Sequence, residues 1–160
     1  MKYALRPMAK SEYPLLEQFI YEAIFIPDGA KAPDKSIIRT PEIQVYIEGF
    51  GAKRDDFCII AAAENGELAG AAWVRIMNDY GHVDDETPSL AISLRKPYRG
   101  FGIGTAMLQE LLAALKAKGY KKTSLAVQKA NYAVKMYEKL GYEIVGENEQ
   151  EYIMVRDLLR

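Results

Sequence analysis

Two apolar segments of strand length, residues 56–64 and 68–76, are separated by little more than Asn65-Gly66. That dipeptide suits the tight turn of an antiparallel hairpin, so the chain is built around a β-hairpin and needs a sheet to contain it. The other segments extend or cover that sheet. Upstream, Tyr3, Leu5 and Pro7 alternate with Lys2, Ala4 and Arg6, the pattern of a short half-buried strand. Ser11 offers an N-cap to a helix carrying Leu15, Leu16, Phe19, Ile20 and Ala23 at helical spacing, and Pro27-Asp28-Gly29 stops it. Residues 30–36 have no periodicity and read as a loop. Thr40-Pro41 begins a second short helix that ends near Gly49 or Gly51.

Downstream of the hairpin, residues 77–87 turn polar and acidic and read as a loop. Leu90, Ile92 and Leu94 then alternate with Ser89, Ala91 and Ser93 as another strand. A glycine-rich turn follows, then a long amphipathic helix with Met107, Leu108, Leu111, Leu112 and Leu115 on one stripe and Gly119 at its end. Residues 123–127 form a strand, residues 133–140 a helix closed by Gly141, and residues 142–145 and 152–158 two last strands. The order β-α-α-β-β-β-α-β-α-β-β is that of a mixed α/β layer. With 160 residues, 49% of them apolar, and no linker or repeat, one domain over residues 1–160 is expected.

Charge and cysteine usage exclude several functions. Lys plus Arg is 21 against 22 for Asp plus Glu, so no global field draws the chain to nucleic acid or an anionic membrane. The longest apolar runs fall short of the ~18 residues of a spanning helix. Cys58 is the single cysteine, which rules out an internal disulfide and, with no signal peptide visible, leads us to expect a cytoplasmic location.

The chemistry concentrates in Arg99-Gly100-Phe101-Gly102-Ile103-Gly104-Thr105, between a strand and the long helix. Missing side chains at 102 and 104 let a ligand approach the main chain. The free N–H groups of the helix's first turn point outward with the positive end of its dipole, which suits a pyrophosphate. Arg99 can add a charge-assisted hydrogen bond to the same anion. A dinucleotide fingerprint would need Gly at 105, where Thr stands, and an acidic residue ~20 positions on, where none occurs. A Walker-type loop is excluded because no Lys stands beside these glycines.

What remains, Arg99-x-x-Gly102-x-Gly104 after a strand ending at Leu94, resembles the acetyl-CoA motif of the GCN5-related N-acetyltransferase (GNAT) superfamily. Asn131, Ala133, Tyr137 and Gly141-Tyr142 resemble that family's downstream segment, and the element order matches its fold from about residue 2 to residue 158. The resemblance implies an α/β (α+β) fold: a mixed, mostly antiparallel sheet flanked by helices, with splayed central parallel strands and a bulge in the strand before the glycine turn. It implies an N-acetyltransferase that binds acetyl-CoA as cosubstrate, uses no metal, and moves the acetyl group directly to an amine in a ternary complex. The alternatives are a non-catalytic acetyl-CoA-binding module and a nucleotide-binding regulator using the same turn.

Residue by residue, the resemblance implies that main-chain groups of Ile92, Ser93 and Leu94 bind the pantetheine arm, with the Leu94 N–H as oxyanion donor. Amides of Gly100, Phe101, Gly102, Ile103, Gly104 and Thr105 hold the pyrophosphate, with Arg99 assisting. Asn131 touches the cofactor or caps a helix. Tyr137 protonates the leaving thiolate, or else is a core aromatic on the 133-136-137-140 stripe. For the general base the family's glutamate has no counterpart at Ser89, Leu90 or Ala91, and the nearest candidates are His82, Asp84, Asp85 and Glu86, of which we nominate Glu86. A Ser-His-Asp device has no nucleophile elbow to rest on, the His82 to Glu86 cluster reads as a solvated loop before it reads as a metal site, and Cys58 reads as core.

The acceptor, a small-molecule or protein amine, is not written in the motifs. Homodimers are frequent among similar proteins, and the periodicity leaves the choice between monomer and homodimer open. Asp79, Asp84, Asp85 and Glu86, with Glu143, Glu147, Glu149 and Glu151, suggest a negative mouth that favours cationic amines.

Overall fold

The structure is a computed structural model that describes residues 2–160. Its seven strands form one sheet in the order β1-β2-β3-β4-β5-β7-β6. The strands are β1 (Tyr3–Pro7), β2 (Phe57–Ala63), β3 (Leu68–Arg75), β4 (Ser89–Leu94), β5 (Lys122–Gln128), β6 (Tyr142–Glu147) and β7 (Glu151–Asp157). Every neighbouring pair is antiparallel except β4 and β5 at the centre. This is the mixed, mostly antiparallel sheet that the element order implies. Among the described residues no helix is long and apolar enough to cross a membrane.

The helices α3 (Ile103–Ala117) and α4 (Ala133–Lys139) cover one face, with Met107, Leu108, Leu111 and Leu115 against Ile59, Val74, Leu90 and Leu125. The helix α1 (Leu16–Ala23) and the turns after the one-turn helix α2 (Pro41–Gln44) cover the other, with Phe19, Ile20, Ile47 and Phe50 around Ile60 and Trp73. The interior strand β3 is buried along its whole length, and its Ala and Gly residues let both layers close on it. At Gly70 a Cβ would lie 2.6 Å from the Ser93 carbonyl oxygen, so only glycine fits there.

Three local readings are corrected. The hairpin turn is one residue longer than the Asn-Gly dipeptide suggests. Ala63 N–H donates to Glu67 O and Gly66 N–H to Ala63 O, with Gly66 at φ 89° and no other residue type at positive φ among the described residues. That is a three-residue loop closed by a left-handed glycine rather than a two-residue turn. Ser11 does not cap the first helical segment. A 3-10 stretch, Lys10–Leu15, precedes α1, and the Glu12 carboxylate takes the Ala9 N–H at 2.8 Å. The second helix is a single turn, after which Gly49 and Gly51 carry irregular turns held by Arg75. The Arg75 guanidinium is buried, meets Asp56 at 3.1 Å, and donates to the carbonyls of Val45 and Glu48.

Candidate functional site

The parallel strands β4 and β5 pair at one position only, Ser89 with Ser124, and then part. This fork is the centre of the site. The bulge expected in β4 is absent: its register against β3 runs unbroken from Arg75↔Ser89 to Gly70↔Leu94. The splay alone opens the slot. Arg95 N–H donates to Ala69 O at 2.9 Å, which sets the phase of the β3–β4 ladder. Ser93 and Ala91 therefore spend their main-chain groups on β3, while those of Ile92 and Leu94 face β5 across the fork. Of the three residues expected along the pantetheine arm, Ile92 and Leu94 present amides to the fork and Ser93 does not.

The strand runs directly into the glycine turn. Gly100 and Gly102 adopt φ of 86° and 79°, conformations that other residues reach only with strain, and Gly102 stands at the N-cap of α3. No side chain caps this helix, and its intrahelical ladder begins with Ala106 N–H to Gly102 O, leaving the N–H groups of Ile103, Gly104 and Thr105 without intrahelical acceptors. Gly104 differs from Gly102. Its backbone is ordinary helix, and a Cβ there would meet only the Met136 sulfur at 3.9 Å. Neither backbone nor packing requires glycine at 104, whereas close approach of a ligand to the helix end would. The adjacent Phe101 is 55% exposed. Arg99 donates from Nε to the Leu94 carbonyl at 2.8 Å, which sets its guanidinium at the open end of the fork.

Met136 beside Gly104 shows that α4 packs next to the start of α3. Asn131 caps α4, accepting the Ala133 N–H at 2.9 Å through Oδ1, and its amide nitrogen remains available as a donor. Tyr137 is buried in the α3-side core with its ring edge-on to Tyr142 at 5.7 Å, and burial pushes its phenol above the ordinary value. The stripe and the candidate acid are thus one residue.

The profile of the acetyltransferase (GNAT) family matches residues 20–142, which include the fork, the glycine turn and all of α4. The chain belongs to this family. Among curated relatives of the GNAT chain, a ribosomal protein bS18 alanine N-acetyltransferase of Haemophilus influenzae is 32% identical over 89 residues, 56% of this chain and 57% of that protein. An acetyltransferase of Pectobacterium atrosepticum is 36% identical over 93 residues, 57% and 61% of the two. The matched segment spans about three-fifths of these relatives' length. Among solved structures, the PaiA N-acetyltransferase of Thermoplasma acidophilum, in complex with coenzyme A, superimposes with TM-score 0.72 at 18% identity, covering 98% of this chain and 99% of that one. The ribosomal-protein-S18-alanine N-acetyltransferase of Escherichia coli gives 0.68 at 16%, covering 98% and 94%.

The acidic loop of this GNAT domain is divided by the structure. Asp84, Asp85 and Glu86 are exposed at the far end of β4 from Leu94, about 16 Å away at 3.3 Å per residue. Asp84 holds the Thr87 hydroxyl and the Glu86 N–H and lines a cavity with Lys122 and Arg160. His82 Nε2 meets Asp85 at 3.2 Å. Glu86, the nominated base, contacts none of the groups at the fork. The negative mouth also disperses, since Glu143 faces Arg160 at 3.9 Å and Glu147 faces Lys129 at 3.4 Å.

Asp79 stands apart from its loop. It is half-buried, accepts the Ser89 hydroxyl at 2.9 Å through Oδ1 and faces the Tyr46 hydroxyl at 3.3 Å through Oδ2. Burial raises its carboxyl above the ordinary range against the pull of those hydrogen bonds. Burial and Asp79 likewise raise Glu151, on β7. Sequence spacing could not separate Asp79 from the other acids. Its place comes from Gly81, which rests on the β5 main chain, where a Cβ would lie 2.9 Å from Ala126 N, and which accepts the Ser124 hydroxyl at 2.7 Å.

Proposed function

We propose that this GNAT domain transfers the acetyl group of acetyl-CoA to a primary amine by direct attack in a ternary complex. The observation that carries the reading is a run of main-chain donors in two parts, the fork at Ile92 and Leu94 and, a few residues on, the uncapped first turn of α3. Such a run matches a ligand with an extended amide-bearing arm that ends in a pyrophosphate. In this reading Ile92 and Leu94 hold the arm, and a fork N–H donates to the thioester carbonyl as charge develops on it. Amides from Gly100 to Thr105 hold the pyrophosphate with Arg99 beside them, and Asn131 donates from its free amide nitrogen. Solved relatives of the fold carry coenzyme A or acetyl-CoA, which supports the choice of ligand.

The thioester is already activated, so the protein's work is alignment, oxyanion stabilisation and proton traffic. An alkylamine of pKa ~10.4 is protonated at neutral pH, and freeing its lone pair costs about 4–5 kcal/mol. Tyr137 supplies the proton for the departing thiolate. Its phenol is a weaker acid than a thiol of pKa ~8.5, so it assists without being indispensable. The acceptor is a small-molecule or protein amine.

The test is thiol release from acetyl-CoA on addition of a panel of amines, alongside a thermal-shift titration with acetyl-CoA. Release with at least one amine, and a raised Tm with acetyl-CoA alone, are expected. A shift without release from any amine identifies a non-catalytic binding module instead.

A further inference from the structure

Beside the fork, on the face opposite α3 and α4, one carboxylate stands where an acceptor amine would lose its proton. Ser89, Ala91 and Ser93 share a face of β4, and Ala91 is paired with Trp73, whose side chain lies in the α1-side core. The Ser89 hydroxyl that donates to Asp79 therefore points to the α1 side, away from the glycine turn and Tyr137. Asp79 is held from three directions: by Ser89 of β4, by Tyr46, whose carbonyl is pinned by the Trp73 indole at 3.0 Å, and by Gly81 packed on β5. Further along the same face of β4, Ser93 is 97% buried and its hydroxyl has no hydrogen-bond partner among the described residues, so a polar group is presented there that they do not satisfy.

We propose that Asp79 is the catalytic proton acceptor of the acetyl transfer, receiving the proton of an amine that enters from the α1 face; this rests on the acetyl-transfer reading above. The spacing is suitable when the thioester carbonyl sits on the Ile92 N–H, the fork amide nearer Ser89, rather than on the Leu94 N–H. Ser89 and Leu94 are five residues apart, about 16 Å along the strand, whereas Ser89 and Ile92 are three apart, about 10 Å. A carbonyl hydrogen-bonded to the fork, an attack distance of about 3–3.5 Å and one more hydrogen bond to a carboxylate together span about the same length. The ammonium gives one proton to Asp79, and the freed lone pair forms the C–N bond to the acetyl carbon. The C–S bond then breaks, its electrons leave on sulfur, which takes a proton from Tyr137, and the nitrogen's second surplus proton restores the phenol by way of solvent. Asp79 returns its own proton to water. The titratable groups facing it are Tyr46, from the turns after α2, and Glu151, from β7.

The experiment compares Asp79→Asn with wild type on two amines, a simple alkylamine and methoxyamine, which is already neutral at pH 7. Asn keeps the shape and can still accept a hydroxyl. We expect kcat/KM for the alkylamine to fall about 100-fold or more, the range of a lost general base, while methoxyamine loses less than about fivefold and acetyl-CoA affinity is unchanged. Equal activity of the variant on the alkylamine, or equal loss on both amines, overturns the assignment. Tyr46→Phe is the second arm. It removes a donor that lowers the Asp79 pKa, so the acid limb of the alkylamine pH profile moves to higher pH, and a limb that stays in place overturns the assignment too. No thiol release by wild type with any amine overturns the acetyl-transfer reading and this one together. Wild-type turnover with an unaffected Asp79→Asn removes this one alone.

Discussion

On the α3 side of the fork the groups we propose for the cofactor are main-chain amides from one stretch of chain, between Ile92 and Thr105, whereas those we propose for the acceptor on the α1 side are side chains of Tyr46, Asp79 and Glu151, from three separate segments. The first surface depends on backbone geometry: a strand that leaves its neighbour, a left-handed glycine and a bare helix end. The second depends on how loops are pinned. A ligand shared by every catalytic cycle can be gripped by backbone, while an acceptor needs side chains that can be exchanged without altering the sheet. The two surfaces should therefore fail separately when perturbed.

The largest effect expected is on the support of the α1 side. Arg75 and Asp56 form a buried pair, and Arg75 also donates to the carbonyls of Val45 and Glu48 on either side of Tyr46. Arg75→Ala leaves a buried carboxylate unpaired and should cost about 3–5 kcal/mol in urea unfolding. In variant that remains folded, acceptor KM should rise while acetyl-CoA still raises Tm. A loss of cofactor binding in step with acceptor binding would mean the two surfaces are one unit.

The reverse perturbation acts on Gly104. Because a Cβ has room there, Gly104→Val should fold, yet its branched side chain fills the approach to the helix end. The acetyl-CoA stabilisation, about 2.7 kcal/mol at a hundredfold excess over Kd, should vanish from the thermal shift. Gly104→Ala, in contrast, should stabilise the free protein by up to about 1 kcal/mol through helix propensity and keep the shift. Gly102 cannot be used in this way, because at φ 79° any side chain strains the backbone itself.

The same division explains what the sequence made legible. Backbone sites are written as spacing, so Arg99-x-x-Gly102-x-Gly104 pointed to the turn, and alternation placed β4 with its correct bounds. Side-chain sites assembled from distant segments have no spacing. Asp79 looked like Asp84 and Asp85 because its burial depends on Gly81 docking on β5, 45 residues on at Ala126. Glu86 had proximity in sequence to β4 as its only credential, and it stands exposed in the loop before the strand, whereas Asp79 is held against Ser89. The absent β4 bulge was an expectation of the resemblance alone, and nothing in residues 89–94 required it.

A smaller effect is expected at Tyr137, on the cofactor side but inside the core. Burial weakens it as an acid, so Tyr137→Phe should lower kcat by about tenfold or less, below the roughly 100-fold or more of a fully effective general acid. Acetyl-CoA affinity should be unchanged, as should stability within about 1 kcal/mol. Single-turnover kinetics are the measurement, since chemistry must limit the rate. An unchanged rate would assign this tyrosine wholly to packing against Tyr142.

The smallest effect lies far from both surfaces and serves as their common reference. Arg6 donates from both terminal nitrogens to Glu12 at 2.8 Å, and Glu12 also accepts the Ala9 N–H that opens the segment leading into α1. The Arg6 hydrogen bonds hold the Glu12 carboxyl at about 2. A carboxyl whose folded pKa is depressed stabilises the fold at pH above its unfolded value, about 4.3, and loses that contribution as pH falls toward 2. The Arg6 side chain is 43% exposed, so solvent screening limits the contribution to about 1 kcal/mol or less. Arg6→Gln should therefore be less stable than wild type by at most that amount at pH 7, and the gap should close on acidification to pH 2. Acetyl-CoA shift and alkylamine turnover should both be untouched. A gap that persists at pH 2 would mean that the pair acts by packing, and a change in either ligand's behaviour would mean that the α1 face is coupled to its own distant edge.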